Sequence, residues 1–235
     1  MIVIYTALFG SYDRLPEVPH YSGITKYVCF TDVIPEEANG WEFELVETEF
    51  EPIKANRWYK FHPHLLFPEH IFSIYVDANI KIIGNLQDFI SYYNNPILAV
   101  PRHKYRDCLY QEIDQCLKIG KISLLESEEI KKRYKDSGFP RNFGLAEMSV
   151  IIRRHHNSKV IKTMIDWWEE FNKLGKRDQL SFMFVAWKNG LDVNFMKENM
   201  QKVNPYFYRL PHASEKMKIR TKVRNIISRL LAKVY

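Results

Sequence analysis

The chain has 235 residues, of which 46% are hydrophobic and 14% aromatic, and a net charge of +6 at pH 7. This composition supports a substantial core and excludes a wholly disordered chain. No apolar run approaches the length of about 18 residues that a membrane-spanning helix needs. The first residues lack the features of a signal peptide. The three cysteines include no CxxC pair, so we expect a cytoplasmic location.

The positive charge is concentrated near the C terminus. Residues 216–235 contain seven basic and no acidic side chains, which leaves 27 basic and 28 acidic side chains in the first 215 residues. A fold that binds nucleic acid would carry basic charge on its body, so nucleic acid is not an expected partner. We predict a domain over residues 1–213 and a basic tail over residues 214–235.

Short apolar runs alternate with amphipathic segments along the domain. Strands are predicted over residues 2–8, 27–32, 41–46, 71–76, 97–100, 145–152 and 193–195. Helices are predicted over 53–66 with an interruption at Pro63, after Asn85, and over 107–117, 125–135, 157–171 and 179–188. This alternation predicts an α/β fold with a mixed, mostly parallel sheet that helices flank on both faces.

The strand that ends at Asp77 carries the clearest functional signal. Residues 71–76 are almost all apolar or aromatic, and Asp77, Ala78 and Asn79 follow them directly. Because a carboxylate is costly inside a buried strand, we expect Asp77 at the point where the strand leaves the sheet. Ligands bind at that edge of α/β sheets, and side-chain oxygens there suit Mg²⁺ or Mn²⁺ that also holds a diphosphate. A plain turn without a ligand is the alternative.

Several common catalytic motifs are absent from the sequence. It contains no GxGxxG, no GxxxxGK[ST] and no GxSxG, which removes the usual signals for dinucleotide binding, a P-loop and a hydrolase nucleophile. The histidine pairs 62/64 and 155/156 do not have the spacing of an HExxH zinc site.

Five stretches, in order along the chain, resemble a single family. They are residues 5–13, residues 29–32, Lys60 with Pro63-His64, residues 73–80 and residues 177–182. Together they resemble the glycosyltransferase-like domain of formerly unknown function, which occurs in bacterial polysaccharide gene products and in plant proteins linked to mucilage. The chain is more distantly similar to glycosyltransferase family 8 and other GT-A enzymes.

The resemblance implies a GT-A-like, Rossmann-related fold and sugar transfer from a nucleotide-sugar donor, with a UDP-sugar as the first expectation. The implied acceptor is a glycan or a lipid-linked glycan, in the synthesis of surface polysaccharide or lipopolysaccharide. A catalytically inactive scaffold of the same fold, which binds a glycan, a nucleotide or a protein partner, is the alternative. Nucleic-acid binding through the tail would require a steep salt dependence.

The resemblance also assigns the donor site residue by residue. Asp77 and Asn79 fall where these enzymes have a DxD motif, and His212 falls where some family 8 enzymes have a third metal ligand. A divalent cation, Mn²⁺ or Mg²⁺, is therefore implied, although Asn79 brings one negative charge fewer than an aspartate. The part of the fold that holds the base and ribose is matched by Thr6, Ala7, Phe9, Tyr12 and Asp32.

Four further side chains complete the predicted site. Arg57 and Lys60 are three residues apart on a predicted helix, share a face there, and are predicted to meet the diphosphate. The alternative is a solvated helix face. Asp178 and Glu147 are candidate bases for the acceptor hydroxyl. A helix N-cap for Asp178 and a surface strand position for Glu147 are the alternatives.

The tail has its own pattern. Its apolar residues recur at helical spacing with basic residues between them, at Val223, Ile226, Ile227, Leu230, Leu231 and Val234. This pattern predicts a basic amphipathic helix on an anionic membrane surface, at the inner face of the membrane; docking on its own domain is the alternative.

Deletion of residues 214–235 should release the protein from anionic vesicles in a flotation assay, because both the apolar face and the positive charge are removed. Vesicles of neutral lipid serve as the control. Equal flotation of the full chain and the truncated chain would contradict the prediction.

Overall fold

We describe a computed structural model that covers residues 1–21, 23–174, 177–198, 200 and 202–212. The predicted tail over residues 214–235 lies outside the described residues. The strands are β1 Ile2–Leu8, β2 Ile24–Thr31, β3 Glu42–Leu45, β4 Phe72–Val76, β5 Ile80–Ile82, β6 Leu98–Pro101, β7 Val150–Arg153, β8 Asn194–Met196 and β9 Phe207–Arg209. The helices are α1 Pro52–Phe61, α2 Pro63–Leu66, α3 Leu86–Tyr92, α4 Leu109–Lys118, α5 Leu124–Asp136, α6 Ser158–Leu174 and α7 Gln179–Lys188.

The main sheet has seven strands in the order β3-β2-β1-β4-β7-β6-β8. All neighbours are parallel except β7, which runs antiparallel between β4 and β6. The predicted mixed, mostly parallel sheet is confirmed. The reversal of β7 matters for the site, because it places Ser149 opposite Asp77, where the Asp77 amide donates to the Ser149 carbonyl at 2.8 Å.

Side chains from the sheet pack into a core on each face. Along β1, Val3 and Tyr5 join one apolar cluster, whereas Ile2 and Ile4 join the other, as the alternation of a strand buried on both faces requires. The first cluster includes residues of α1 and α4–α7, and the second includes residues of α3, β5 and β9. The expected helices on both faces are therefore confirmed. None of the described helices is long and apolar enough to cross a bilayer.

Two parts of the sheet differ from the prediction. The strand predicted over residues 145–152 is shorter, because residues 145–147 instead pair irregularly with the end of β6 and the residues just past it. There the Glu147 amide donates to the Pro101 carbonyl at 2.8 Å. The antiparallel pair of β5 and β9 was not predicted. Each has three residues, and the two lie far apart in sequence, so neither has a local pattern that marks a strand.

A buried histidine lies beyond β7, away from the edge that holds Asp77. His155 is 0% exposed, and its Nε2–H donates to the Phe67 carbonyl at 3.0 Å. Its Nδ1 is buried without a hydrogen-bond partner among the described residues. Burial lowers the pKa of His155 to about 4, and the nearby His156 and Arg153 add to this effect.

This histidine should make folding sensitive to acid. The unfolded chain binds a proton at His155 near pH 6.5 and the folded chain only near pH 4, so its contribution to stability is complete above pH 6.5 and is lost as the pH falls towards 4. The free energy of unfolding of the wild type should fall over this range by about 3 kcal/mol more than that of His155→Gln, whose amide retains the bond to Phe67. Urea titrations at each pH measure this difference.

The matched control is His20→Gln, at an exposed position. It should follow the wild-type pH dependence. A His155→Gln profile parallel to the wild type would show that His155 does not control the acid response.

Candidate active site

Lys60 is the centre of a charged cluster at the carboxyl edge of the sheet. Its side chain lies in the last turn of α1 and is only 2% exposed. The Nζ atom lies 2.7 Å from Oδ2 of Asp178 and 3.6 Å from Oδ1 of Asp77, and 4.8 Å from the ring centroid of Tyr75. Since a buried ammonium needs compensation, the two carboxylates hold Lys60 in place, and Lys60 in turn joins α1 to β4 and α7.

Asp178 occupies the N-cap position of α7, but its side chain forms no capping hydrogen bond. Instead it accepts from Lys60 and lies 3.2 Å from Nε of Arg57. Burial alone would raise the pKa of Asp178, but Arg57 and Lys60 outweigh it and hold this pKa well below its usual range. Asp178 is therefore ionised throughout the physiological range and is a weak proton acceptor.

Arg57 lies one turn before Lys60 on the same face of α1. Burial alone would lower the pKa of Arg57, but Asp178 and other nearby groups raise it. The Nε atom is buried, but the side chain as a whole remains 24% exposed. The solvated-face alternative is wrong for Lys60, which is buried, whereas Arg57 is part-exposed and pairs with Asp178.

The turn after β4 holds Asp77 and Asn79 in different environments. The Asp77 side chain is 32% exposed, and its carbonyl accepts from the Ile80 amide at 2.9 Å. Asn79 is only 2% exposed. Its side-chain Nδ2 donates to the Leu210 carbonyl at 2.9 Å, and its backbone carbonyl accepts from the Leu210 amide at 2.8 Å. Asp77 thus faces the opening, whereas Asn79 ties the chain after β9 to the turn.

The loop after β1 and the end of β2, which the resemblance assigned to the base and ribose, lie against each other. The Gly10 amide donates to both carboxylate oxygens of Asp32, at 3.1 and 3.0 Å, and Gly10 has the positive φ of +68° that favours glycine. Tyr12, in the same loop, is 59% exposed. Asp32 and Tyr12 therefore present polar and aromatic groups at one edge.

Three other side chains predicted for this site are buried: Thr6 at 0%, Ala7 at 2% and Phe9 at 4% exposure. The reason is that β1 is buried on both faces, and Phe9 stacks on Tyr59 at a centroid distance of 5.4 Å. As placed, these three residues offer a ligand only their backbone.

His212 does not lie with Asp77 in a metal-binding group. Its Nδ1 is 2.7 Å from Oδ2 of Asp13, and its ring lies 5.3 Å from the ring of Tyr12. Within the described ranges, no group of three or more His, Cys, Asp or Glu side chains is placed to hold a metal ion. Oδ1 of Asn79 is buried and has no hydrogen-bond partner among the described residues.

Taken together, Asp77, Asn79 and His212 do not fit the predicted Mn²⁺ or Mg²⁺. Asp77 already faces the Lys60 ammonium, and His212 is paired with another carboxylate, that of Asp13. The buried Oδ1 of Asn79 would supply only one ligand, whereas such ions take about six. We therefore derive no step through a metal ion.

Glu147 lies at the same edge and is buried, which contradicts the surface-strand alternative. It is 9% exposed, its Oε1 lies 3.0 Å from Nη1 of Arg209, and it also accepts from the Ser149 hydroxyl at 3.4 Å. The neighbouring Ala146 carbonyl accepts from Nε2 of Gln179 at 3.0 Å, which joins this segment to α7.

The sequence prediction missed two basic residues of the site. Arg177 lies beside Asp178, and its charge contributes to the low pKa of that carboxyl. Its Nε is buried without a hydrogen-bond partner among the described residues. Arg209 pairs with Glu147 from β9. Arg177 was within a stretch that the resemblance had marked, but Arg209 lies on a strand that was not predicted.

The described residues form an α/β domain with a polar edge at the carboxyl ends of its parallel strands. Residues 50–206 match the family model described as TOD1/MUCI70, glycosyltransferase-like domain. The match covers more than half of the chain, so the chain belongs to this family, and the predicted resemblance is confirmed. No individually curated protein is similar enough in sequence to count as a match.

Solved structures with similar folds include mouse xyloside xylosyltransferase 1 in its apo form, at 8% identity and a TM-score of 0.41, covering 83% of this chain and 84% of that chain. Galactosyltransferase LgtC with donor and acceptor sugar analogues has 12% identity and a TM-score of 0.47, covering 83% and 73%. The glycosyltransferase GlyE of Streptococcus pneumoniae TIGR4 has 13% identity and a TM-score of 0.47; the match covers 83% of this chain but only 45% of GlyE.

Replacement of Lys60 by methionine should destabilise the fold strongly, because two carboxylates would lose their shared cation while one of them stays buried. We expect the free energy of unfolding to fall by roughly 3–5 kcal/mol, measured by urea denaturation. Lys132→Met removes a lysine that is 77% exposed and paired with Asp136, and it should cost only about 0.5 kcal/mol. Equal effects of the two changes would contradict the central position of Lys60.

Proposed function

We propose that this domain transfers a sugar from a nucleotide-sugar donor to a glycan or lipid-linked acceptor. The observation that carries the proposal is the partly exposed Asp77 carboxylate at the carboxyl edge of β4, beside the cationic pair Lys60 and Arg57. Membership of a glycosyltransferase-like family supports the class of reaction.

In this proposal the donor lies along the carboxyl edge of the sheet. Its base and ribose would meet the loop after β1 and Asp32, since the Gly10–Asp32 bonds hold these two segments together. Its sugar and ribose hydroxyls would meet Asp77, and its diphosphate would meet the exposed part of Arg57. A UDP-sugar is the first donor to test.

The acceptor hydroxyl would be deprotonated by a carboxylate if the enzyme inverts the anomeric centre. Asp178 is poorly suited to this role, because Lys60 and Arg57 hold its pKa well below the usual range; we assign it the positioning of those two cations. Glu147, which is ion-paired with Arg209, is the remaining candidate base.

A second candidate function is a non-catalytic scaffold that binds a nucleotide, a glycan or a protein partner. The observation that favours it is that both candidate bases are ion-paired, Asp178 with Lys60 and Arg57, and Glu147 with Arg209. Such a protein would bind a nucleotide sugar and release no nucleoside diphosphate.

The pathway and location are also proposals. The acceptor would belong to surface polysaccharide or lipopolysaccharide synthesis, and the basic tail would keep the cytoplasmic enzyme at the inner face of the membrane. A lipid-linked acceptor would suit this location, since enzyme and acceptor would share the same surface.

The first experiment is a thermal-shift panel of nucleotide sugars, since a ligand that binds only the folded state raises the melting temperature with its concentration. The best donor is then used in an assay for transfer and for release of nucleoside diphosphate. Binding with release supports the enzyme, and binding without release supports the scaffold.

Asp77→Ala should lower the transfer rate by about 10²-fold or more, as expected when a group that meets the developing charge or orients the donor is removed. The protein should remain folded by circular dichroism, because Asp77 is partly exposed and Lys60 keeps Asp178 as a partner. The matched control is Asp136→Ala, whose side chain is 61% exposed on α5, and it should have wild-type activity. Undiminished transfer by Asp77→Ala would remove Asp77 from the site.

A further inference from the structure

Three carboxylates at the edge of the sheet, those of Asp77, Asp178 and Glu147, are already paired with basic side chains of the chain itself. Lys60 lies between Asp77 and Asp178, Arg57 lies 3.2 Å from Asp178, and Glu147 lies 3.0 Å from Arg209. A site that attracts a divalent cation needs carboxylate oxygens that have no other cation.

Arg177 adds a positive charge that has no acidic partner. Within the described residues it forms no ion pair at 4 Å or less; its Nη2 donates to Oε1 of Gln179 at 3.4 Å, and its Nε is buried without a partner. Arg177 directly precedes Asp178, the N-cap residue of α7, and its charge acts on that carboxylate, so it belongs to the same cluster. Counted over the described residues, the cluster holds the cations Lys60, Arg57 and Arg177 against the carboxylates Asp77 and Asp178.

This balance of charge has the sign that attracts an anion. A metal ion at Asp77 would add positive charge to a cluster in which cations already exceed carboxylates, and this repulsion weakens its binding. A nucleoside diphosphate brings the opposite charge. Guanidinium groups also match phosphate oxygens with two parallel hydrogen bonds, and Arg57 keeps 24% of its side chain exposed.

We propose that this domain binds the diphosphate of its donor without a divalent metal ion, through the guanidinium groups of Arg57 and Arg177. Lys60 does not contact the donor, because its ammonium is buried between two carboxylates; it is a positioning residue that holds Asp77 and Asp178. The inference rests on the proposed donor site, and it replaces the metal ion expected from the sequence with side chains of the chain itself.

The test is isothermal titration calorimetry of the full chain with UDP, GDP, ADP and CDP as probes. Each titration is run in EDTA, after the removal of bound metal has been verified, and again in MnCl₂. The best-binding nucleotide should have dissociation constants in EDTA and in Mn²⁺ that agree within about threefold. Arg57→Gln and Arg177→Gln should each weaken its binding by roughly 10-fold to 100-fold, as expected for the loss of a hydrogen bond to a charged group.

Two comparisons separate these effects from damage to the fold. Arg177→Gln removes a cation that has no ion pair to lose, so its melting temperature should stay near that of the wild type. Arg154→Gln, at the opposite end of β7, is the matched control and should bind like the wild type.

Binding that requires Mn²⁺ would overturn this inference and leave the proposed donor site standing. Binding in EDTA that neither the Arg57 nor the Arg177 variant weakens would also overturn it. If no nucleoside diphosphate binds in either buffer, both this inference and the proposed transfer from a nucleotide sugar fail.

Discussion

The candidate site depends on a single buried ammonium group. Lys60 Nζ reaches Asp178 at 2.7 Å and Asp77 at 3.6 Å, and its side chain is almost wholly buried. Because neither a buried ammonium nor a buried carboxylate is stable alone, the three side chains fix one another. Asp178 lies 118 residues from Lys60, so this interaction joins α7 to α1 and β4 and sets the geometry of the carboxyl edge.

The packing beneath this cluster holds both of its ends. At α7, Nε1 of Trp167 donates to the Asp178 carbonyl at 3.0 Å, and the Trp167 ring stacks on Phe61 at a centroid distance of 3.7 Å. At α1, the fully buried Arg153 donates to the Lys60 carbonyl at 2.6 Å, and the Tyr5 hydroxyl donates to the same oxygen at 3.1 Å. These contacts satisfy a carbonyl at the end of a helix that would otherwise lack a partner. The core of the sheet thus fixes the backbone from which the charged groups extend.

Much of this arrangement could be predicted from local patterns. The run that ends at Asp77, the shared helix face of Arg57 and Lys60, and the alternation of strands and helices all have short-range signals. The contacts between distant residues have no such signal. Asp178 and Lys60 are 118 residues apart, and β5 and β9 are separated by more residues still. The burial of Thr6 and Phe9 was missed because β1 is covered on both faces, and because Phe9, just past its end, packs on Tyr59 of α1. His212 was predicted to lie with Asp77 but pairs with Asp13 instead. This could not be foreseen from spacing, since it depends on where the chain turns after β9.

The departure of Asn79 from an aspartate has a consistent physical explanation in the described residues. Its amide donates to the Leu210 carbonyl through Nδ2, a bond that an ionised aspartate cannot make because it has no hydrogen to donate. The position therefore serves to join the turn after β4 to the chain that follows β9. With that side chain committed to structure and Asp77 facing Lys60, the turn after β4 offers one negative charge fewer than a DxD motif would, and Arg57 lies 3.2 Å from Asp178 beside it. Both features support the proposal that this edge binds a phosphate group rather than a cation.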